Sequence, residues 1–182
     1  MSTGKKINII AISGSLKSTS ANTNILRNIV RLAPDNVTVT ICEGLDSLPH
    51  FNPELEEVFL PVVNFRQKLK EADAVIFSTP EYAFGVPGVL KNALDWLVSS
   101  GDLNEKPVAV ISASPLYSGG DKAMASLLLT LTALGTNMDT TSALSIGDIK
   151  NKMTAEGEIS DHQTLQALMQ LLEDLIKRVS VS

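Results

Sequence analysis

Continuous apolar runs recur at residues 6–12, 37–42, 74–78 and 108–113, each separated from the next by enough chain for a helix. That alternation predicts βαβ units. In Ala74-Val75-Ile76-Phe77 and Val108-Ala109-Val110-Ile111 the apolar character is unbroken rather than alternating, which marks strands covered on both faces, as in a parallel sheet between two helical layers. A fifth strand is expected over residues 138–144. Helical spacing fills the gaps: Ile25, Leu26, Ile29, Val30, Leu32 and Ala33 share one face that leaves Arg27 and Arg31 outside, and Val62, Phe65 and Leu69 form a second. Pro87 at a first-turn position opens a third helix through Leu90, Ala93, Leu94 and Leu97, stopping near Gly101. Residues 119–134 form a fourth. The last helix is expected to begin at Ser160, with Gln163 in capping-box position, and to continue through Leu165, Leu168, Leu172, Leu175 and Val179. The segments 44–61 and 145–157 are long enough to be functional loops. The expected class is α/β with a five-stranded parallel sheet.

Composition narrows the function classes. With 182 residues, 44% of them hydrophobic, the chain suits one domain spanning residues 1–182. Fifteen Lys and Arg against twenty Asp and Glu leave a net charge of −5 without a basic cluster longer than Lys5-Lys6, which argues against nucleic acid as a partner. No stretch approaches the roughly 18 apolar residues of a membrane span, so a soluble cytoplasmic protein is expected. The single cysteine, Cys42, lies in a strand-like run and reads as a buried core thiol. No spacing of His, Cys, Asp and Glu suggests a metal. His50 and His162, and the acidic stretch of Asp46, Glu54, Glu56 and Glu57, read as solvated surface.

Candidate chemistry lies in the loop after the first run, Ser13-Gly14-Ser15-Leu16-Lys17-Ser18-Thr19-Ser20-Ala21-Asn22. Five hydroxyls, an amide and an ammonium can all donate hydrogen bonds there, at the start of a helix whose N-terminus favours an anion. Ser, Thr and Asn also cluster at N-caps without any ligand, but five hydroxyl residues and a lysine in ten positions exceed what one cap needs. In an open parallel sheet the site lies beyond the carboxyl ends of the strands, where residues 79–88 and 114–120 should join this loop. No G-x-x-x-x-G-K-[ST] is present and the loop holds only Gly14, so neither a P-loop nor a dinucleotide fingerprint fits. A monophosphate does. The second loop combines Pro, aromatic and Gly residues with Glu81 as its one ionisable acid, which suits a flat ring, and a mononucleotide with a large planar ring satisfies both loops.

Two blocks resemble a known family, the NAD(P)H-dependent FMN reductases of the flavodoxin-like class, which include quinone, chromate and azo-dye reductases. Residues 14–22 are similar to its G-S-L-R-x-x-S-x-N. Pro80-Glu81-Tyr82-Ala83, with Pro87-Gly88-Val89-Leu90-Lys91-Asn92-Ala93-Leu94-Asp95-Trp96, is similar to P-E-Y-N followed by P-G-x-L-K-N-A-[IL]-D-W. The resemblance covers nearly the whole chain and implies a flavodoxin-like three-layer sandwich with strand order 2-1-3-4-5. It implies FMN as cofactor and NAD(P)H as co-substrate, with the phosphate held by Ser15, Lys17, Ser20 and Asn22 and the loop completed by Leu16, Ser18 and Ala21. Pro80, Glu81, Tyr82 and Ala83 would line the isoalloxazine, largely through backbone groups, and Ser114 with Gly119 and Gly120 would complete its edge. Lys91 and Asp95 can pair four residues apart, and Trp96 reads as a core or subunit-interface residue.

On that resemblance no side chain is catalytic: hydride goes from NAD(P)H to flavin N5 and the electrons then go to a small acceptor such as a quinone, chromate, an azo dye or free flavin, in ping-pong order. Phe84, Tyr117 and residues 48–61 would shape the acceptor pocket. A homodimer or homotetramer is implied, and the apolar Met124, Leu127, Leu128, Leu129 and Leu131 support association. Three positions depart from the family pattern: Lys17 for Arg, Ala83 for Asn, and Leu127-Leu128 for Leu-Arg. Two other readings stand beside the enzyme, a single-electron carrier serving a protein partner and a regulator that has lost its flavin.

Overall fold

Every residue of the two central strands, β3 (Ala74–Thr79) and β4 (Val108–Ala113), is buried, as their unbroken apolarity requires. In the computed structural model, which describes residues 6–55 and 59–181, they lie within a five-stranded sheet. The other strands are β1 (Ile7–Ser13), β2 (Val37–Cys42) and β5 (Ala143–Ile146), in the order β2-β1-β3-β4-β5 with all four pairings parallel. Side chains alternate along each strand between two cores. Val75, Phe77, Val108 and Val110 face α2 (Leu60–Glu71), α3 (Gly88–Asp95) and α4 (Asp121–Ala133). Ala74, Ile76, Ala109 and Ile111 face α1 (Ala21–Leu32) and α5 (His162–Val181). The result is the expected three-layer, flavodoxin-like sandwich.

Four element boundaries differ from expectation, and those of β5 and α5 have a polar cause. The fifth strand occupies Ala143–Ile146 rather than 138–144 because Asp139 organises a turn: its carboxylate accepts from the Thr141 N–H and hydroxyl at 2.8 and 2.7 Å, and its carbonyl accepts from the Ser142 N–H. Arg178 on α5 clamps that turn through Asp139, Ser142 and the Val108 carbonyl. α5 starts at His162 and is capped by Asp161, not Ser160, since the Asp161 carboxylate accepts from the Thr164 N–H at 2.9 Å and from its hydroxyl at 2.6 Å. α3 ends at Asp95, and the chain continues to Ser100 in tight turns whose N–H groups reach back three residues. Pro87 is the residue before that helix rather than within its first turn.

The block around α3 is largely architectural. Lys91 pairs with Asp95 at 2.6 Å, while the Asn92 amide and the Trp96 indole both donate to the Pro49 carbonyl, at 2.9 and 2.8 Å. Trp96 is fully buried with Phe51 edge-on at 5.1 Å, which makes it a core residue. Cys42 is buried too, and burial pushes its thiol pKa up, as an inert core position requires. His50, His162, Asp46 and Glu54 are exposed, whereas Glu56 and Glu57 lie outside the described residues. Among the described residues no helix is long and apolar enough to cross a membrane.

Candidate active site

Three loops at the carboxyl edge of the sheet, with a fourth after β5, enclose a cleft of about 370 Å³. The first leaves β1 through Gly14, whose N–H donates to the Ser78 carbonyl at 2.8 Å. A Cβ there would stand 3.1 Å from both Leu90 and Thr79, so only glycine passes between β3 and α3 without displacing them. The chain then turns on its own hydroxyls: Ser13 and Thr23 share a hydrogen bond at 2.8 Å, the Ser15 N–H donates to Ser13 Oγ and the Lys17 N–H to Ser15 Oγ. Ser20 precedes α1 in extended conformation, yet no side chain caps that helix. Its first-turn N–H groups, at the positive end of the helix dipole, therefore open toward Ser15, Lys17, Thr19 and Ser20 on the cleft wall.

Asn22 plays a different part from the one its sequence position suggests. Its side chain is buried, donating to the Ala113 carbonyl at 3.2 Å and accepting from the Ser78 hydroxyl at 3.0 Å. The amide thus ties the start of α1 to the ends of β3 and β4, and holds the anion loop in place. Leu16 and Ser18 line a separate hollow of about 280 Å³ behind the loop, where Arg27 donates to the Ser18 carbonyl at 2.8 Å.

The second loop supplies Pro80 and Tyr82 to the cleft. Tyr82 and Gly85 exchange backbone hydrogen bonds at 3.1 and 3.0 Å, closing a two-residue turn in which Ala83 (φ 49°) and Phe84 (φ 61°) are both left-handed. Glu81 points away, and its carboxylate accepts from the N–H groups of Lys122 and Ala123 at the start of α4. The third loop contributes Ala113 and Pro115. Ser114 lies buried behind them, its hydroxyl accepting from the Leu116 N–H at 3.1 Å. Gly119 (φ 64°) passes so close to the β5 exit that a Cβ would stand 3.0 Å from the Gly147 nitrogen. Of the thirteen expected site residues, Ser15, Lys17, Ser20, Ala21, Asn22, Pro80 and Tyr82 line the cleft. Leu16, Ser18, Glu81, Ala83, Ser114 and Gly119 shape the loops around it.

The fourth wall was not expected residue by residue. Ile149, Lys150, Met153, Thr154 and Ala155 complete the cleft lining, on a segment that packs against α1. The only signal in sequence was the length of the 145–157 segment, because none of these residues belongs to a motif and the chain must fold back to bring them here.

The site suits a flavin mononucleotide: a helix N-terminus without a cap, hydroxyls and an ammonium at one end, and Pro80, Tyr82 and Pro115 at the other. Residues 7–150 match the family model described as NADPH-dependent FMN reductase. The chain belongs to that family. It is 31% identical to an NAD(P)H-dependent FMN reductase of Pseudomonas aeruginosa over 173 residues, 93% of each chain. It is 36% identical to an NADPH:quinone oxidoreductase of Arabidopsis thaliana over 181 residues, covering 93% of this chain and 90% of the relative. Among solved structures it is similar to FerB, a flavoenzyme NAD(P)H:(acceptor) oxidoreductase from Paracoccus denitrificans, with a TM-score of 0.85 and 28% identity over 96% of this chain and 97% of that one. As a member of the FMN reductase family the chain is an oxidoreductase, with FMN as its cofactor and NAD(P)H as reductant.

Proposed function

We propose that this FMN reductase binds FMN in the four-walled cleft, is reduced there by NAD(P)H and passes the electrons to a small acceptor of the quinone class. One observation carries the reading most directly: the uncapped start of α1 opens into the cleft between Lys17 and the hydroxyls of Ser15 and Ser20. Those groups hold the phosphate, with Asn22 fixing the loop. Pro80, Tyr82 and Pro115 would hold the ring, while Glu81, Ala83, Ser114 and Gly119 set the paths of the loops that carry them.

FMN, when bound, supplies a redox centre that takes up hydride and returns the electrons, so the protein needs no nucleophile. The side chains bind, orient and exclude water. One cleft serves both the nicotinamide donor and the acceptor in this reading, with Phe84, Leu116 and Tyr117, exposed on the second and third loops, as its apolar rim. They use it in turn, and ping-pong kinetics follow. Quinones suit this apolar rim, and chromate, azo dyes or free flavin are further acceptors by the same route. Leu129, 74% exposed on α4 beside the half-buried Leu128, supports association into a homodimer or homotetramer. A cytoplasmic setting, where NAD(P)H is available, completes the proposal.

The deciding experiment has two stages. Protein is denatured and the released chromophore identified, then native protein is mixed anaerobically with NADPH or NADH in a stopped-flow instrument, followed by benzoquinone. Release of FMN, bleaching within seconds and recovery of colour with the quinone are expected. Absence of FMN even after incubation with excess cofactor overturns the assignment. Bound FMN that NAD(P)H does not bleach favours the single-electron carrier instead.

A further inference from the structure

The loop after β5 places a second cation on the cleft. Lys150 lines the same cleft as Lys17, and among the described residues neither ammonium has a carboxylate within 4 Å. In a chain of net charge −5, the cleft lining contains no Asp or Glu at all. Three acids of this segment are directed elsewhere: Glu158 pairs with Arg31 at 2.7 Å, Asp148 accepts from the Asn151 amide at 2.9 Å, and Asp161 caps α5; Glu156 is exposed beside the lining Ala155 without itself lining the cleft.

The backbone that carries Lys150 is pinned to the phosphate helix. Ile149 is buried and its N–H donates to the Ser114 carbonyl at 3.2 Å. Further along, Met153 and Ile159 pair across a short bridge, and the buried Asn28 of α1 donates to the Gly157 carbonyl at 2.9 Å while accepting from the Ile159 N–H at 3.1 Å. Asn24 on the first turn of α1 contacts the Met153 sulfur at 3.9 Å. Lys150 therefore stands on a fixed loop, with only its own flexible stem to order when it meets an anion.

We propose that Lys150 is a second phosphate-binding residue, which together with Lys17 would hold the terminal phosphate of the cofactor. A phosphate monoester carries about −1.5 to −2 at neutral pH, more than one ammonium offsets, and two lysines in a carboxylate-free cleft match it. This rests on the assignment of FMN to the cleft.

Titration of deflavinated protein with FMN and with riboflavin, which has the same ring without the phosphate, tests it. Lys150→Ala is expected to weaken FMN binding about tenfold, consistent with loss of one charge-assisted contact, to leave riboflavin binding within about twofold, and to flatten the dependence of FMN affinity on salt. Lys150→Arg is expected to retain most of the FMN affinity, and because residue 150 is exposed both variants should keep the parent melting temperature. Unchanged FMN affinity in Lys150→Ala overturns the proposal, as does an equal loss for FMN and riboflavin. A change confined to the KM ratio for NADPH over NADH also overturns it, since it would assign Lys150 to the nicotinamide dinucleotide. Failure of the parent protein itself to bind FMN is a separate result and overturns the cofactor assignment first.

Discussion

The carboxylate of Glu81, two residues beyond β3, is the cap of α4: its Oε2 accepts from the N–H of Lys122 at 2.9 Å and of Ala123 at 3.0 Å. The residue before that helix is Gly120, in left-handed conformation and without a side chain to cap it. A tertiary contact thus does what a local Ser or Asp usually does, and it ties the loop presenting Pro80 and Tyr82 to the helix beside the third loop. Glu81→Ala should lower unfolding stability by about 1 to 2 kcal/mol, the usual cost of a lost N-cap with a charged acceptor. Glu81→Gln, which keeps an acceptor without the charge, should lose about half of that. Denaturant unfolding of the two variants checks both figures, and equal stability of Glu81→Ala and parent would remove the capping role.

The turn after Glu81 stores strain. Ala83 and Phe84 both have positive φ, a conformation costing an L-residue roughly 1 to 2 kcal/mol, and Phe84 is 80% exposed, so packing of its ring contributes little in return. Asn and Gly accept the left-handed region far more readily, and Asn-Gly is the favoured pair in such two-residue turns. Ala83→Asn should therefore stabilise the protein by about 0.5 to 1 kcal/mol, and Ala83→Val should destabilise it by a similar amount or more. The measurement is the denaturation midpoint at unchanged m-value, and a destabilised Ala83→Asn variant would show that the turn is not the source of strain.

Asn22 sits inside the motif that first pointed to an anion, yet its amide is spent on Ser78 and Ala113. Asn22→Ala leaves a buried hydroxyl and carbonyl short of partners, which costs about 1 to 3 kcal/mol, and should also weaken FMN and riboflavin alike because it loosens the whole loop. That common loss distinguishes it from Lys17→Ala, which should weaken FMN and spare riboflavin. Flavin fluorescence titration of both variants separates the two roles. An Asn22→Ala protein with parental stability and a loss confined to FMN would return Asn22 to the phosphate.

What could be read from the sequence follows the range of the interactions involved. The anion loop was legible because helix-start chemistry is local: Ser15, Lys17 and Ser20 lie within a few residues of the N–H groups they accompany. The buried parallel sheet and its helical layers followed from unbroken apolar runs, whereas the strand order came with the family resemblance. The side-chain partners of Asn22 and Glu81, and the presence of Lys150 at the cleft, are not legible in the sequence because each depends on a segment far along the chain, respectively β4, α4 and the loops that share the cleft. The start of β5 was misplaced for a related reason. As an edge strand it exposes Ala143 and Ser145, so its apolar signal is weak, while the Asp139 turn that excludes residues 139–142 owes its anchorage to Arg178 on the last helix.

That same turn sets a pH dependence. Hydrogen bonds from the Thr141 hydroxyl, helped by the Thr141 N–H, Ser142 and the Arg178 guanidinium, hold Asp139 below its usual carboxylate pKa against an opposing effect of burial. Asp161, through the Thr164 hydroxyl and N–H, and Asp174, through Gln170 and Lys177, are depressed in the same direction. A carboxyl that is more acidic folded than unfolded binds fewer protons in the native state, so its contribution is fully present above the unfolded value, near 3.9, and disappears as pH falls through the folded one. Stability should therefore change little on these groups' account between pH 8 and about pH 5 and then decline in acid, modestly for each because these carboxyls face solvent. In Asp139→Asn the acid limb should be shallower and stability at neutral pH lower, because the ion pair of Arg178 with residue 139 is lost. Urea unfolding at a series of pH values, parent against variant, tests this: parallel acid limbs would show that Asp139 takes no part in the transition.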